Sequence, residues 1–170
     1  MQTTPASVPI EDWNASVLAV TFLDSDLDDL EIGGEVTWEP ASNIAEVTHH
    51  AAYLATDATG YAAGKLALGG APLQVGTNAV VVAENIRVPP ATGGVFTHAL
   101  VYARSLLQEQ TTPQATALQD ASAVVANLSF ADFDGDGGEL GGDIAWDQPP
   151  LGPGVSELRH YAVYLARSAS

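Results

Sequence analysis

The feature that most constrains this chain is a duplicated acidic loop. Asp24-Ser25-Asp26-Leu27-Asp28-Asp29-Leu30-Glu31-Ile32-Gly33-Gly34 returns as Asp132-Phe133-Asp134-Gly135-Asp136-Gly137-Gly138-Glu139-Leu140-Gly141-Gly142. At this offset of 108 residues, Phe22 matches Phe130 and Trp38 matches Trp146, and Gln2-Thr3-Thr4-Pro5 matches Gln110-Thr111-Thr112-Pro113. Downstream, Thr48 to Ala55 corresponds to Arg159 to Ala166 once three extra residues are allowed in the turn between Pro149 and Pro153. Insertions fall in such exposed Pro-rich and Gly-rich loops because few buried contacts depend on their length. A repeat of this length is too long for a small solenoid unit and suits a self-contained domain. The expected division is residues 1–15 as the end of a preceding unit or linker, 16–118 as a complete repeat, and 119–170 as the first half of a second. Its apolar strands then need cover from the first unit or from another chain, since a partial sheet exposes a face and an edge.

The runs between turn signals read as strands. Val17 to Phe22 is an apolar, β-favouring run stopped by the acidic loop. Ile32 to Trp38 alternates, with Ile32, Val36 and Trp38 on one face, and Pro40 ends it. Val47 to Thr56 carries apolar residues on both faces, the pattern of a central strand, and alternation does not say which face is the core. Tyr61 to Leu68 reads as a short edge strand or a short helix, and Asn78 to Ala83 and Phe96 to Arg104 as further strands. Thr111 to Leu118 closes the sheet. About seven strands at this spacing indicate an all-β, two-sheet sandwich.

Val36-Thr37-Trp38-Glu39-Pro40 resembles the second strand of a fibronectin type III domain, where a core Trp is followed closely by Pro. The Tyr53 strand is similar to the third strand of that family, and Phe96 to Arg104, with Tyr102, to its penultimate one. Ile144-Ala145-Trp146, Pro149-Pro150, Tyr161 and Tyr164 repeat part of the pattern. The resemblance implies an immunoglobulin-like, fibronectin type III-like sandwich, repeated, with the second copy incomplete. It also implies an extracellular or cell-surface spacer or adhesion module. The acidic loop between the first two strands departs from the short neutral turn usual in that family.

Carboxylates at loop positions 1, 3, 5 and 8 suit a hard cation. Calcium takes about 6–8 oxygen ligands in a flexible geometry, and alternate acids on a tight turn converge on one ion while carbonyls add ligands. The candidate ligands are Asp24, Asp26, Asp28 and Glu31 in the first loop, and Asp132, Asp134, Asp136 and Glu139 in the second. Their opening resembles an EF-hand loop, but the Glu closes at position 8 rather than about 12 and the flanks read as strands. A solvated turn whose charges prevent edge pairing is the competing reading.

Composition narrows the function. Five Lys plus Arg against 21 Asp plus Glu give a net charge of -16, which repels nucleic acid and anionic lipid. No apolar run reaches the roughly 20 residues that span a bilayer. The absence of Cys removes thiolate nucleophiles, disulfides and Cys-based zinc sites. Lys65 is the only lysine, so no Gly-rich phosphate loop with its Lys is present, and no nucleophile sits on a strand-to-helix elbow. The His-x-x-x-Tyr patterns that start at His49, His98 and His160 put each pair on one strand face and read as packing. Asn14 and Asn127 match the glycosylation acceptor pattern. The expected function is a non-catalytic structural or adhesive calcium-binding module in a longer extracellular array. The alternatives are a calcium-dependent carbohydrate-binding module, with Trp13, Tyr61 and Phe96 beside the ion, and an accessory domain of a secreted hydrolase.

Overall fold

The computed structural model describes residues 4–61, 64–70, 72–88, 94–150 and 158–167. Gln2 and Thr3 of the repeat, Pro89, Pro90 and Gly93 of the long turn, Ala71 and the inserted residues after Pro150 lie outside the described residues. The described elements are all strands: β1 (Leu18–Asp24), β2 (Glu31–Glu39), β3 (His49–Ala55), β4 (Leu66–Ala67), β5 (Leu73–Gln74), β6 (Ala79–Arg87), β7 (His98–Arg104), β8 (Gln114–Ala117), β9 (Ala126–Asp132) and β10 (Gly142–Asp147). They pair antiparallel in three sheets, β1-β2-β6, β4-β3-β7-β8 with β5 also on β3, and β9-β10.

The first two sheets share one core. Val20, Ile32, Val36, Trp38, Val80 and Val82 from the first sheet meet Ala52, Leu54, Ala99 and Val101 from the second. Ile32, Val36 and Trp38 are buried together, as the alternation of β2 requires. In β3 the even positions His50, Ala52 and Leu54 face this core, which settles what its two apolar faces left open. The other face of the second sheet carries a smaller cluster of Ala55, Leu100 and Tyr102, with Tyr53 and Ala115 packed on it. β7 is therefore covered on both sides, and its near-continuous apolar run has that cause.

β1 does not alternate cleanly. Val17 and Val20 are both buried, and the register slips between Leu18 and Thr21 where Ala19 takes a φ of 45°. A bulge inserts one residue and switches the parity, so that Val20 and Asp24 both turn inward. β9 repeats the device with Asn127 at φ 52°, matching Ala19 at the offset of 108, and with a register slip between Ala145 and Asp147.

The segment matching β3, residues 159–166, carries no strand in the described part of the chain. β3 is held by ladders to β7, β4 and β5, and no described strand pairs with 158–167. An extended run with no ladder partner has nowhere to place its backbone hydrogen bonds except water. Tyr161 nevertheless packs edge-on against Trp146 with ring centroids 5.3 Å apart, as His50 packs against Trp38 at 5.7 Å.

Candidate metal-binding loops

Both acidic loops are built by the same local hydrogen bonds. Asp24 closes β1, and its Oδ1 accepts the N–H groups of Asp26 at 3.1 Å and Gly33 at 3.0 Å. The Gly33 carbonyl accepts from Ser25 at 2.7 Å, and the Asp28 carbonyl from Glu31 at 3.3 Å. In the second loop Asp132 Oδ1 accepts from Asp134 at 3.0 Å and Gly141 at 3.1 Å. The Gly141 carbonyl there accepts from Phe133 at 2.7 Å, and the Asp136 carbonyl from Glu139 at 3.3 Å. Each chain of alternate acids is also a chain of Asx turns. Asp26 Oδ1 takes the Asp28 N–H at 3.2 Å, and Asp134 Oδ1 takes the Asp136 N–H at 3.0 Å. The spacing of the acids thus has a backbone-turning role whether or not an ion is bound.

Glycine is required where the loop re-enters the sheet. Gly34 sits at φ 149°, and a Cβ there would run into the carbonyl of Leu23. At Gly142 a Cβ would meet the Ala131 carbonyl. The close approach of the two hairpin arms leaves no space for a side chain.

The side chains then diverge. In the second loop Asp134, Asp136 and Glu139 are exposed, and one ligand atom from each lies within 4.8 Å of the others. Among the described residues this is the one group of three that meets that spacing, and it is able to coordinate a divalent ion. Asp132 stands outside it, turned onto its own loop backbone.

In the first loop the matching acids are used by the surrounding fold. Glu31 Oε1 lies 3.4 Å from Arg87 Nε on β6. Asp26 Oδ2 accepts the N–H of Asn85 at 2.8 Å, in a β6 bulge where Asn85 has a φ of 59°. Asp24 is 4% exposed, and its Oδ2 accepts the N–H of Ala121 at 2.9 Å. Asp28 remains exposed. Four residues unmarked by sequence reasoning complete this environment: Asn85, Arg87, Asp120 and Ala121. Asp120 Oδ2 accepts the N–H of Leu30 at 2.8 Å. Burial is the main influence on the Asp120 carboxyl and pushes its pKa above the usual carboxylate range. The Leu30 hydrogen bond opposes this, and the charges of Asp24, Asp29 and Asp26 add to it. Of these four, Arg87 alone carried a signal, as one of five basic residues in an acidic chain.

Elsewhere, His49 and His98 each hydrogen-bond the hydroxyl of the Thr before them, at 3.0 and 2.8 Å, rather than the Tyr four residues on. Tyr53 and Tyr102 pack edge to face at 5.7 Å under Lys65, whose Nζ lies 4.8 and 4.9 Å from the two rings. Tyr53 donates its hydroxyl to Glu109 at 3.1 Å. Of the three aromatics considered for a sugar platform, Trp13 and Tyr61 are exposed and Phe96 is buried. No described helix is long and apolar enough to cross a membrane. Comparisons with protein-family models, with curated proteins and with solved structures find no match.

Proposed function

We propose that this chain is a non-catalytic structural or adhesive module from an extracellular array of fibronectin type III-like sandwiches, in which calcium binds the acidic loops. The observation that carries the reading is the convergence of Asp134, Asp136 and Glu139. Three exposed carboxylates at the tip of a hairpin repel one another, and a hard cation with open coordination positions relieves that repulsion. Calcium suits the site because its flexible coordination accepts a loop that leaves several positions to carbonyls and water.

The division of strands supports the architecture. The first, second and sixth strands lie in one sheet and the third, seventh and eighth in the other, as in immunoglobulin-like sandwiches, where the first, second and fifth main strands oppose the third, sixth and seventh. Here β4 and β5 are two-residue pieces between the main strands. On this reading 16–118 is one repeat, 119–170 opens another, and 1–15 belongs to a unit before them. Neighbouring repeats or another chain would cover the open strands of the second. The carbohydrate-binding alternative ranks lower because Phe96 belongs to the core cluster.

Calorimetric titration with calcium tests the proposal, paired with thermal melting before and after chelation. Saturable binding is expected, and Asp136→Asn and Glu139→Gln should each weaken it by roughly tenfold, since ligand charge count tunes affinity in oxygen sites. No saturable heat and no melting shift would sink the calcium assignment.

A further inference from the structure

Where β3 begins and β7 ends, the molecule carries an open groove of about 440 Å³ that shares no residue with either acidic loop. It lies between the segment ahead of β1 and the turn that follows β7, and hydrogen bonds tie both walls. The Gln110 carboxamide clamps one to the other: its Oε1 accepts the N–H of Ala103 at 2.9 Å, and its Nε2 donates to the Ser16 hydroxyl at 3.3 Å. In the turn, the Ser105 hydroxyl accepts the N–H groups of Leu107 and Gln108 at 3.1 and 3.4 Å. On the other wall, Asn14 Oδ1 accepts the N–H of Ser16 at 3.0 Å, and Val17, buried in the core cluster, anchors the segment. Walls tied in this way lose little freedom when a ligand arrives.

Trp13 and Leu107 line the groove with apolar surface and are 59% and 88% exposed. Arg104, Asp12, Glu46 and Gln108 line the same space, and all four are exposed. Among the described residues no carboxylate lies within ion-pair distance of the Arg104 guanidinium, so the donor and the acceptors share one groove without neutralising one another. Such a mixture beside an open aromatic face selects a neutral ligand rich in hydroxyls. Each hydroxyl both donates and accepts, so adjacent hydroxyls on one ring satisfy a guanidinium and a carboxylate together, while the C–H face of the ring covers the indole. An anion meets the carboxylates and a chain of net charge -16, and a cation meets Arg104.

We infer that this groove binds a neutral saccharide, with Trp13 as the stacking platform, Arg104 as hydrogen-bond donor and Asp12 and Glu46 as acceptors. Its volume falls within the range of about 300–1,000 Å³ typical of ligand sites, which leaves room for a short oligosaccharide. The site uses neither Phe96 nor an ion, and this separates it from a calcium-dependent sugar platform and from the calcium reading of the acidic loops.

The test is a nitrogen-15 NMR titration of the full chain, in the presence of chelator, with cellotetraose, maltotetraose, xylotetraose, mannotetraose and tetra-N-acetylchitotetraose. Oligomers of galacturonate and of glucosamine serve as anionic and cationic controls. The expected result is a saturable shift of the Trp13 indole N–H and the Gln108 amide with at least one neutral sugar and with neither charged control. The indole signals of Trp38, which is buried, and of Trp146, which packs on Tyr161, should stay still. Trp13→Ala should abolish binding, Trp13→Phe should retain part of it, and Arg104→Gln and Glu46→Gln should each weaken it by about tenfold. All of these side chains are exposed, and an unchanged amide spectrum of each free variant checks that the fold is intact. The inference is overturned if no neutral sugar moves the Trp13 indole, if Trp13→Ala binds equally well, if a charged control binds as tightly, or if binding is seen only with calcium added.

Discussion

The β1–β2 and β9–β10 hairpins are one device in two surroundings. Both carry a bulge with a left-handed residue, Ala19 or Asn127; both turn through an acidic loop closed by the same hydrogen bonds; and both set a ring against a Trp. They differ in cover. Val20 and Ile32 are 8% and 0% exposed under the β3–β7 sheet, and their counterparts Leu128 and Leu140 are 69% and 68% exposed. Local shape survives the loss of cover because hydrogen bonds between residues two to nine apart set it. What cover changes is the use of the acids. Where β6 and the chain leaving β8 close over the loop, Asp24, Asp26 and Glu31 are bound to protein groups, and where they do not, Asp134, Asp136 and Glu139 are left to face one another.

The largest expected effect tests how far the turn itself is shared. Gly34→Ala drives a Cβ into the Leu23 carbonyl and should cost about 3 kcal/mol of unfolding free energy in urea titration. Gly142→Ala meets the same obstruction at Ala131, yet it should disturb only the second hairpin, seen as local loss of amide protection with the main melting transition unmoved. Equal global losses from both would mean that the second hairpin is an integral part of the first core.

Acid should separate the two Trp contacts. His50 is buried against Trp38, and neither ring nitrogen has a hydrogen-bond partner among the described residues. Burial, followed by the charge of His49, lowers its pKa below the ordinary 6.5. The unfolded chain therefore takes up this proton first. The stability from a neutral His50 is fully present above about pH 6.5 and drains away as the pH falls toward the lower folded value. His50→Tyr copies the Tyr161 solution of the second hairpin and should flatten this limb of a melting-temperature profile between pH 7 and about pH 5. An unchanged slope would place the acid sensitivity elsewhere.

A third experiment asks whether the protein groups that engage the acids of the first loop weaken its hold on an ion. Arg87→Ala frees Glu31 from its ion pair, and calcium affinity at the first loop should rise several-fold in a chain whose second site is weakened by Asp136→Asn together with Glu139→Gln. No gain would locate the difference in the Asp26 to Asn85 bond instead. The smallest effect concerns the bulge. Ala19 pays for a left-handed backbone that Asn127 tolerates, so Ala19→Gly should stabilise the first hairpin by about 0.5–1 kcal/mol in thermal unfolding. Asn127→Gly should be nearly neutral.

Much of the architecture was legible wherever the signal was local. The β2 face of Ile32, Val36 and Trp38 follows from alternation, and β8 lies within the Thr111 to Leu118 run expected to close a sheet. The bulge at Ala19 was not legible, because an Ala gives no sign of a left-handed backbone, although Asn127 at the matching position does. The core face of β3 was ambiguous until Ala52 and Leu54 were seen packed with the first sheet, and only a smaller cluster on the opposite face. In the acidic loops, the acids and the closing glycines stand out in sequence. The separate task of Asp24, which joins its loop to Ala121, 97 residues away, does not.

The sequence by itself determined an all-β chain with an acidic turn repeated at an offset of 108 residues, because strand alternation, turn glycines and Asx spacing are written over a few residues. Tertiary structure alone decided which carboxylates remain available to an ion. For the first loop that choice depends on Asn85, Arg87 and Ala121, which reach it only through folding.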